Sequence, residues 1–253
     1  LLLTTLHQNF NSYAKSLTEN QVNEWTKVKG RFKEITFVEP VEQILFLASK
    51  QFPKNEDLVG NSNFDQLFRL ARETNFISKD YSEETARQLF PLDPFSAYVI
   101  TSAIQRYGQN ERSLFTFLAS RGKNSLVDFE HNKNQTYNLC RVYDYIIYNF
   151  YSYLKDVNVD SMNWSSIQVS IERVEGIDWK SKEQMLAAED IVKVIGLLNL
   201  FGLASFVFNE EQIISYAHFA MDISDAQYII QQLKQFKIIR FAVYKNKLML
   251  FEG

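Results

Sequence analysis

Cysteine is nearly absent: Cys140 is the sole one in 253 residues, so the chain can form no internal disulfide and no multi-cysteine zinc site. Histidine is almost as scarce. His7, His131 and His218 lie far apart without ligand spacing, and no metal site is expected. The 8 glycines and 4 prolines are too few for a turn-rich all-β chain and suit a helical one. No run of 18 apolar residues occurs, so a membrane span is not expected. Leu1-Leu2-Leu3-Thr4-Thr5-Leu6 has neither the charged flank nor the cleavage site of a signal peptide, and it lacks an initiator Met. It reads as a buried strand entered mid-domain, as in a fragment whose front half lies upstream. A reducing cytoplasm is the expected setting.

Against these absences stands a 46% hydrophobic content, enough for a sizeable core, with 21 Phe and 13 Tyr. The formal net charge of −3 argues against a surface built throughout for nucleic acid and leaves room only for a local basic patch. His218 falls mid-helix between Ala217 and Phe219 and is expected to be packed. Cys140 is expected to be a buried, inert thiol.

Three zones emerge along the chain. Residues 1–53 alternate strand and helix: Leu1–Leu6, a polar helix through Phe10, Tyr13, Ala14 and Leu17, a run Ile35–Val38, then a helix started by Pro40 over Val41–Phe52. Residues 54–155 read as all helix. The helices span Phe64–Thr74, Glu83–Phe90, Phe95–Tyr107 after the Pro91-Leu92-Asp93-Pro94 break, Glu111–Ser120, and an aromatic one over Thr136–Lys155. In residues 156–253, helices over Ser181–Leu200, Glu210–Met221 and Ala226–Phe236 precede two alternating runs, Ile238–Tyr244 and Lys247–Phe251. A two-residue turn at Lys245-Asn246 is expected to join them as a hairpin. Three helices ending in a hairpin are the layout of a winged helix. The fold class expected is therefore mainly α with some β.

Three motifs, in order, resemble the AAA+ ATPases, especially initiator-like and STAND-like members with a winged helix after the lid. Leu1–Gln8 is similar to the sensor 1 strand, whose polar end touches the γ-phosphate and attacking water; Thr4 and Thr5 fit best, with His7 and Gln8 as alternates. Val28-Lys29-Gly30-Arg31-Phe32 resembles the step that carries an arginine finger. In that role Arg31 would offset charge on a neighbouring subunit's nucleotide. Gly108-Gln109-Asn110-Glu111-Arg112 is similar to sensor 2, where Asn110 caps a helix and Arg112 in its first turn folds over the β- and γ-phosphates. Pro91 or Pro94 looks like the hinge proline that contacts adenine in STAND proteins. The run Gln109–Phe115 also resembles large bacterial ATP-binding proteins of mobile-element defence.

The resemblance implies the end of an α/β P-loop core over 1–53, a helical lid over 54–155 and a winged-helix domain over 156–253. It implies ATP as cofactor, with Mg²⁺ bound by an upstream part. No G-x-x-x-x-G-K-[ST] occurs here, and no apolar strand ends in an acidic Mg²⁺ ligand. This polypeptide alone is therefore expected not to hydrolyse ATP. Its partners are expected to be ATP together with a protein or a second copy of itself.

DNA is a weaker expectation. Residues 181–253 carry seven cations against eight acids, and the helix Ala226–Phe236 offers Gln227, Gln231 and Gln232 but no arginine. The plainer alternative is a non-enzymatic winged-helix adaptor for DNA or protein.

Overall fold

The computed structural model describes residues 17–32, 39–51, 62–108, 114–129, 135–156 and 160–251. Among them 65% are helical and 5% in strands, so the protein is mainly α, as expected. The chain divides into two compact units, Leu1–Glu39 and Pro40–Gly253. The expected strands Leu1–Leu6 and Ile35–Val38, and most of the helix through Phe10–Leu17, lie outside the described residues.

The first unit contributes one described helix, α1 (Glu19–Lys29), where none was expected. It is held by local chemistry. The Thr18 backbone N–H and hydroxyl both donate to Gln21 Oε1 at 3.0 Å. Glu19 sits at the positive end of the helix, while Lys27 and Lys29 sit at the negative end.

The second unit begins with α2 (Val41–Ser49), α3 (Ser62–Glu73), α4 (Glu83–Gln88), α5 (Pro94–Tyr107) and α6 (Leu114–Ala119). It continues with α7 (Leu139–Asp156), α8 (Ser161–Glu175), α9 (Lys182–Phe201), α10 (Glu210–Met221) and α11 (Ala226–Gln235), and closes with the antiparallel pair β1 (Ile239–Ala242) and β2 (Lys247–Leu250). One core runs from Leu45 to Leu250, shared by the segments read as lid and as winged helix.

Two helices organise that core. α5 packs against α2, α3, α6, α7 and α9, and it buries eleven of its fourteen residues. α9 packs against α5, α7, α8, α10, α11 and β2. Phe95 on α5 is fully buried, with ring centroids of Phe76 at 4.9 Å, Tyr216 at 5.2 Å and Phe208 at 6.0 Å. Burying one such side chain stabilises by about 1.5–3 kcal/mol, and edge-to-face ring pairs add to that. Ile167 of α8 packs directly onto Gly196 of α9. A Cβ there would lie 2.5 Å from Ile167 Cγ1, so a larger residue would push the helices apart.

Several expectations are corrected. α8 lies in a stretch read without a helix; Trp164, Ile167 and Val174 form its buried face. α2 ends at Ser49 rather than Phe52. The hairpin turn is longer than two residues, because the last register pair is Ala242 with Lys247. Val243–Lys245 form a 3₁₀ turn and Asn246 takes a left-handed conformation at φ 49°. A two-residue turn of the favoured kind needs positive φ at both positions, and Lys245 lies in the 3₁₀ turn instead. Val243 and Tyr244 consequently project at the tip, 81% and 74% exposed. His218 is exposed, not packed: α10 turns Ile213, Tyr216, Ala217 and Ala220 inward, and His218 falls on the other face.

Candidate functional site

Of the residues singled out from sequence, Thr4 and Thr5, their alternates His7 and Gln8, and Asn110 and Arg112 lie outside the described residues. Arg31 is exposed in the turn that follows α1, and its backbone N–H donates to the Val28 carbonyl. Pro91 belongs to the second unit and is buried. It follows a cis peptide bond from Phe90, and its carbonyl accepts from the Tyr137 N–H at 2.7 Å. Pro94 occupies the first turn of α5, where the absent N–H has no consequence.

What the structure gathers around these prolines is a buried polar hub on Asp93. The sequence makes it locally: an Asp ahead of a helix-starting Pro is an N-cap, and Asp93 Oδ1 accepts from Ser96 N at 2.9 Å. Its second oxygen, Oδ2, accepts from Ser96 Oγ at 2.9 Å and from Tyr216 Oη of α10 at 2.8 Å. Tyr216 Oη accepts in turn from the Leu139 N–H that opens α7, at 2.9 Å. A parallel bridge between Leu92 and Tyr137 runs alongside. One carboxylate thus fastens the starts of α5 and α7 to the middle of α10.

Asp93 is fully buried. Burial pushes its carboxyl up to about 6, against the hydrogen bonds from Ser96 and Tyr216, which favour the ionised form. Tyr81 has a buried hydroxyl without a hydrogen-bond partner among the described residues. Burial, and then the Asp93 charge, push it well above the ordinary phenol range. These neighbours leave Asp93 no open face. It is a tether and not a catalyst.

The far end of α5 carries a second clamp. Tyr107 donates to Asp160 Oδ2 at 2.7 Å and accepts from Trp164 Nε1 of α8 at 3.2 Å. Arg106 reaches the same carboxylate oxygen at 3.1 Å. Burial and the bond to Asp160 push the Tyr107 phenol up to about 12, so it stays a donor at every physiological pH. Gly108 follows directly and leads into the segment that holds Asn110 and Arg112.

None of Asp93, Tyr107, Asp160 and Tyr216 was singled out from sequence as functional. The signal for Asp93 was present as Asp-Pro with Ser96 at the third helical position; that for Tyr216, 123 residues away, was not. Among the described residues no cluster of His, Cys, Asp and Glu could hold a metal ion. No described helix is long and apolar enough to cross a membrane. Searches against family models, curated proteins and solved structures give no match to the chain.

Proposed function

We propose that this chain is the nucleotide-sensing and transmitting half of a AAA+/STAND-type ATPase, with α5 as the transmitting rod. In this reading Arg112, in a helix turn opened by Asn110, meets the phosphates of ATP. Thr4 and Thr5 sense the γ-phosphate, Arg31 reaches a neighbouring copy's nucleotide, and Pro91 lies at the adenine hinge. Mg²⁺ would be held by residues ahead of Leu1. In this reading α9, α10, α11 and the β1–β2 hairpin would act as a winged helix and receive the movement.

The observation that carries the reading is the pair of clamps on α5, one through Asp93 to Tyr216 and one through Tyr107 to Asp160 and Trp164. In this reading α5, fastened at both ends, would move with its partners. A displacement at residues 108–112 would then be carried by α5 to α8 and α10. The test is Arg112→Ala in the longest natural polypeptide that contains this chain. The expected result is ATP turnover lowered at least about tenfold, the scale of losing one charged contact to a phosphate. Unchanged turnover together with unchanged nucleotide affinity would remove the assignment.

A second reading, a non-enzymatic module that docks on DNA or protein, is favoured by one observation. Residues 226–251 contain no acid and carry Lys237, Arg240, Lys245 and Lys247, together with Lys234, which pairs with Glu210 at 2.8 Å, and Tyr244 is exposed. It predicts that the full chain raises the fluorescence anisotropy of a labelled duplex at low salt and loses that effect with rising salt. No change at low salt would count against the DNA form of it.

A further inference from the structure

Along the closing hairpin, three exposed rings each stand next to an exposed cation: Phe236 with Lys237, Phe241 with Arg240, and Tyr244 with Lys245. The rings are 46%, 40% and 74% exposed. We propose that this line of ring–cation pairs binds single-stranded nucleic acid, with unstacked bases on Phe236, Phe241 and Tyr244 and phosphates on Lys237, Arg240 and Lys245. The proposal rests on the second reading above, in its nucleic-acid form, and names a single strand rather than a duplex as the partner.

The pairs recur every four residues on a stretch that leaves α11, follows β1 and turns at the hairpin tip. From Phe236 to Tyr244 that chain reaches at most about 29 Å, a length that several nucleotides can follow. Among the described residues β1 pairs with β2 alone, whereas β2 also meets Phe208, so the line follows the outer edge of the pair.

Both ends of the line are held. Arg173 of α8 donates to the carbonyls of Phe236 at 3.3 Å and Lys237 at 3.0 Å, and Lys237 takes a left-handed conformation at φ 52°. At the tip, the 3₁₀ turn Val243–Lys245 closes on Asn246, and the Lys245 ammonium lies 5.5 Å from the centroid of the Tyr244 ring. A fixed backbone lowers the ordering cost when a base stacks on its rings.

Charge decides the class of partner. Lys237, Arg240, Lys245 and Lys247 make no ion pair among the described residues, in a stretch without acids, whereas Lys234 is neutralised by Glu210. The register sets Arg240 opposite Met249 and Lys247 opposite Ala242. Arg240 and Lys247 are therefore diagonal neighbours on one face, roughly 7–8 Å apart. Partial burial, and then Lys245 beside it, push the Lys247 ammonium down. Cations crowded without a counter-charge are relieved by a polyanion.

The rings decide between single strand and duplex. Duplex bases stack on one another and present their edges in the grooves, which leaves no base face for these rings; a single strand offers one at every base. α11, ahead of the hairpin, exposes Gln227, Gln231 and Gln235, and its lysine is the paired Lys234, so it has no free cation with which to hold a duplex backbone. An anionic lipid surface asks for apolar groups gathered on one side of a cationic belt. Here Val243 and Tyr244 project at the tip, and the other two rings are spread back along the strand between cations.

The experiment is fluorescence anisotropy of the purified 253-residue chain with a labelled oligothymidylate of about 20 nucleotides, longer than the roughly 4–16 covered by one single-strand-binding fold. The same oligonucleotide annealed to its complement is the duplex arm, and cosedimentation with phosphatidylcholine vesicles containing phosphatidylserine is the lipid arm. The single strand is expected to bind at least about tenfold more tightly than the duplex, on the scale of more than one stacked base. Tyr244→Ala and Phe241→Ala should each weaken it at least about fivefold, the lower end for one stacked base, and Tyr244→Phe should retain it. Arg240→Gln and Lys245→Gln should instead each reduce the slope of log affinity against log salt by about 0.7.

Circular dichroism of each variant separates loss of binding from loss of fold, and Tyr244, at the exposed tip, is the ring whose removal least touches the core. Single-strand affinity unchanged in Tyr244→Ala and Phe241→Ala would overturn the proposal. A duplex bound as tightly as the single strand would overturn it while leaving the second reading in place. A chain that binds neither nucleic acid, with or without binding to the vesicles, would remove both.

Discussion

Helices α1 and α5 are close in length and opposite in origin. α1 has eleven residues and buries none of them; α5 has fourteen and buries eleven. The first is written in nearest-neighbour chemistry: Thr18 with Gln21, an exposed Glu24–Lys27 pair at 2.6 Å, an acid at its start and two lysines at its end. Such terms contribute a few tenths of a kcal/mol apiece, about enough to bias a short helix and no more. The second shares the local devices, an Asp cap and a Pro at the first turn, but its stability comes from residues far along the chain. Phe76, Phe208 and Tyr216 close on Phe95, and Asp160 closes on Tyr107. Local signals place a helix; distant contacts decide how much energy rests on it.

The contrast can be broken most forcefully at Phe95. Phe95→Ala removes a fully buried ring from the centre of three ring contacts and should cost about 3–5 kcal/mol, read as a lowered urea midpoint at constant m-value. A cost below about 1 kcal/mol would show that α5 is not the organising helix.

Asp93 comes next, through pH. Its folded carboxyl sits at about 6 against an ordinary 3.8, so between those values the unfolded chain has already released a proton that the folded chain retains. Stability from this group is therefore fully present below about pH 3.8 and falls as pH rises to about 6. Two units correspond to at most about 3 kcal/mol. The difference in stability between wild type and Asp93→Asn should change across that window by an amount of this order, read from denaturant melts at each pH. A pH-independent difference would show that the carboxyl is not perturbed.

The smallest effect belongs to α1. Thr18→Ala should weaken that helix by about 1 kcal/mol or less, seen as faster amide exchange over residues 19–29. The main unfolding transition should stay where it is. A shifted main transition would mean that α1 is not locally determined after all.

The same division explains what could be read without a structure. α10 was legible to the residue, Glu210–Met221, because Asn209 and Gln212 make a reciprocal cap and the apolar spacing is clean. α5, α9 and α11 were each legible to within a residue at either end for similar reasons. α8 was missed, although Trp164, Ile167 and Val174 carry its period. The exposed apolar Met162 and Val169 are interleaved with them and blur the stripe. The hairpin was found and its turn mistaken, since the pairing ends at Ala242 although the apolar run continues through Val243 and Tyr244. The hub and the Tyr107 clamp were out of reach for a different reason. A hydrogen bond spanning 123 residues leaves no trace in either neighbourhood. The aromatic helix showed the limit of composition: Tyr143, Tyr145 and Phe150 are buried, while Tyr148 and Tyr151 on the same helix stay half exposed.

The lone cysteine gives this arrangement a built-in reporter. Cys140 lies one residue beyond the N–H that Tyr216 holds. It is 5% exposed, and its Sγ lies 3.4 Å from the Asp190 carbonyl of α9. Burial, then Asp190, hold its thiol well above the ordinary range, so in the closed protein it is neither accessible nor nucleophilic. A thiol-reactive dye can therefore label the chain only when α7 parts from α9. Because no second thiol competes, the labelling rate in native buffer measures the free energy of that one opening, with no engineered probe and no denaturant.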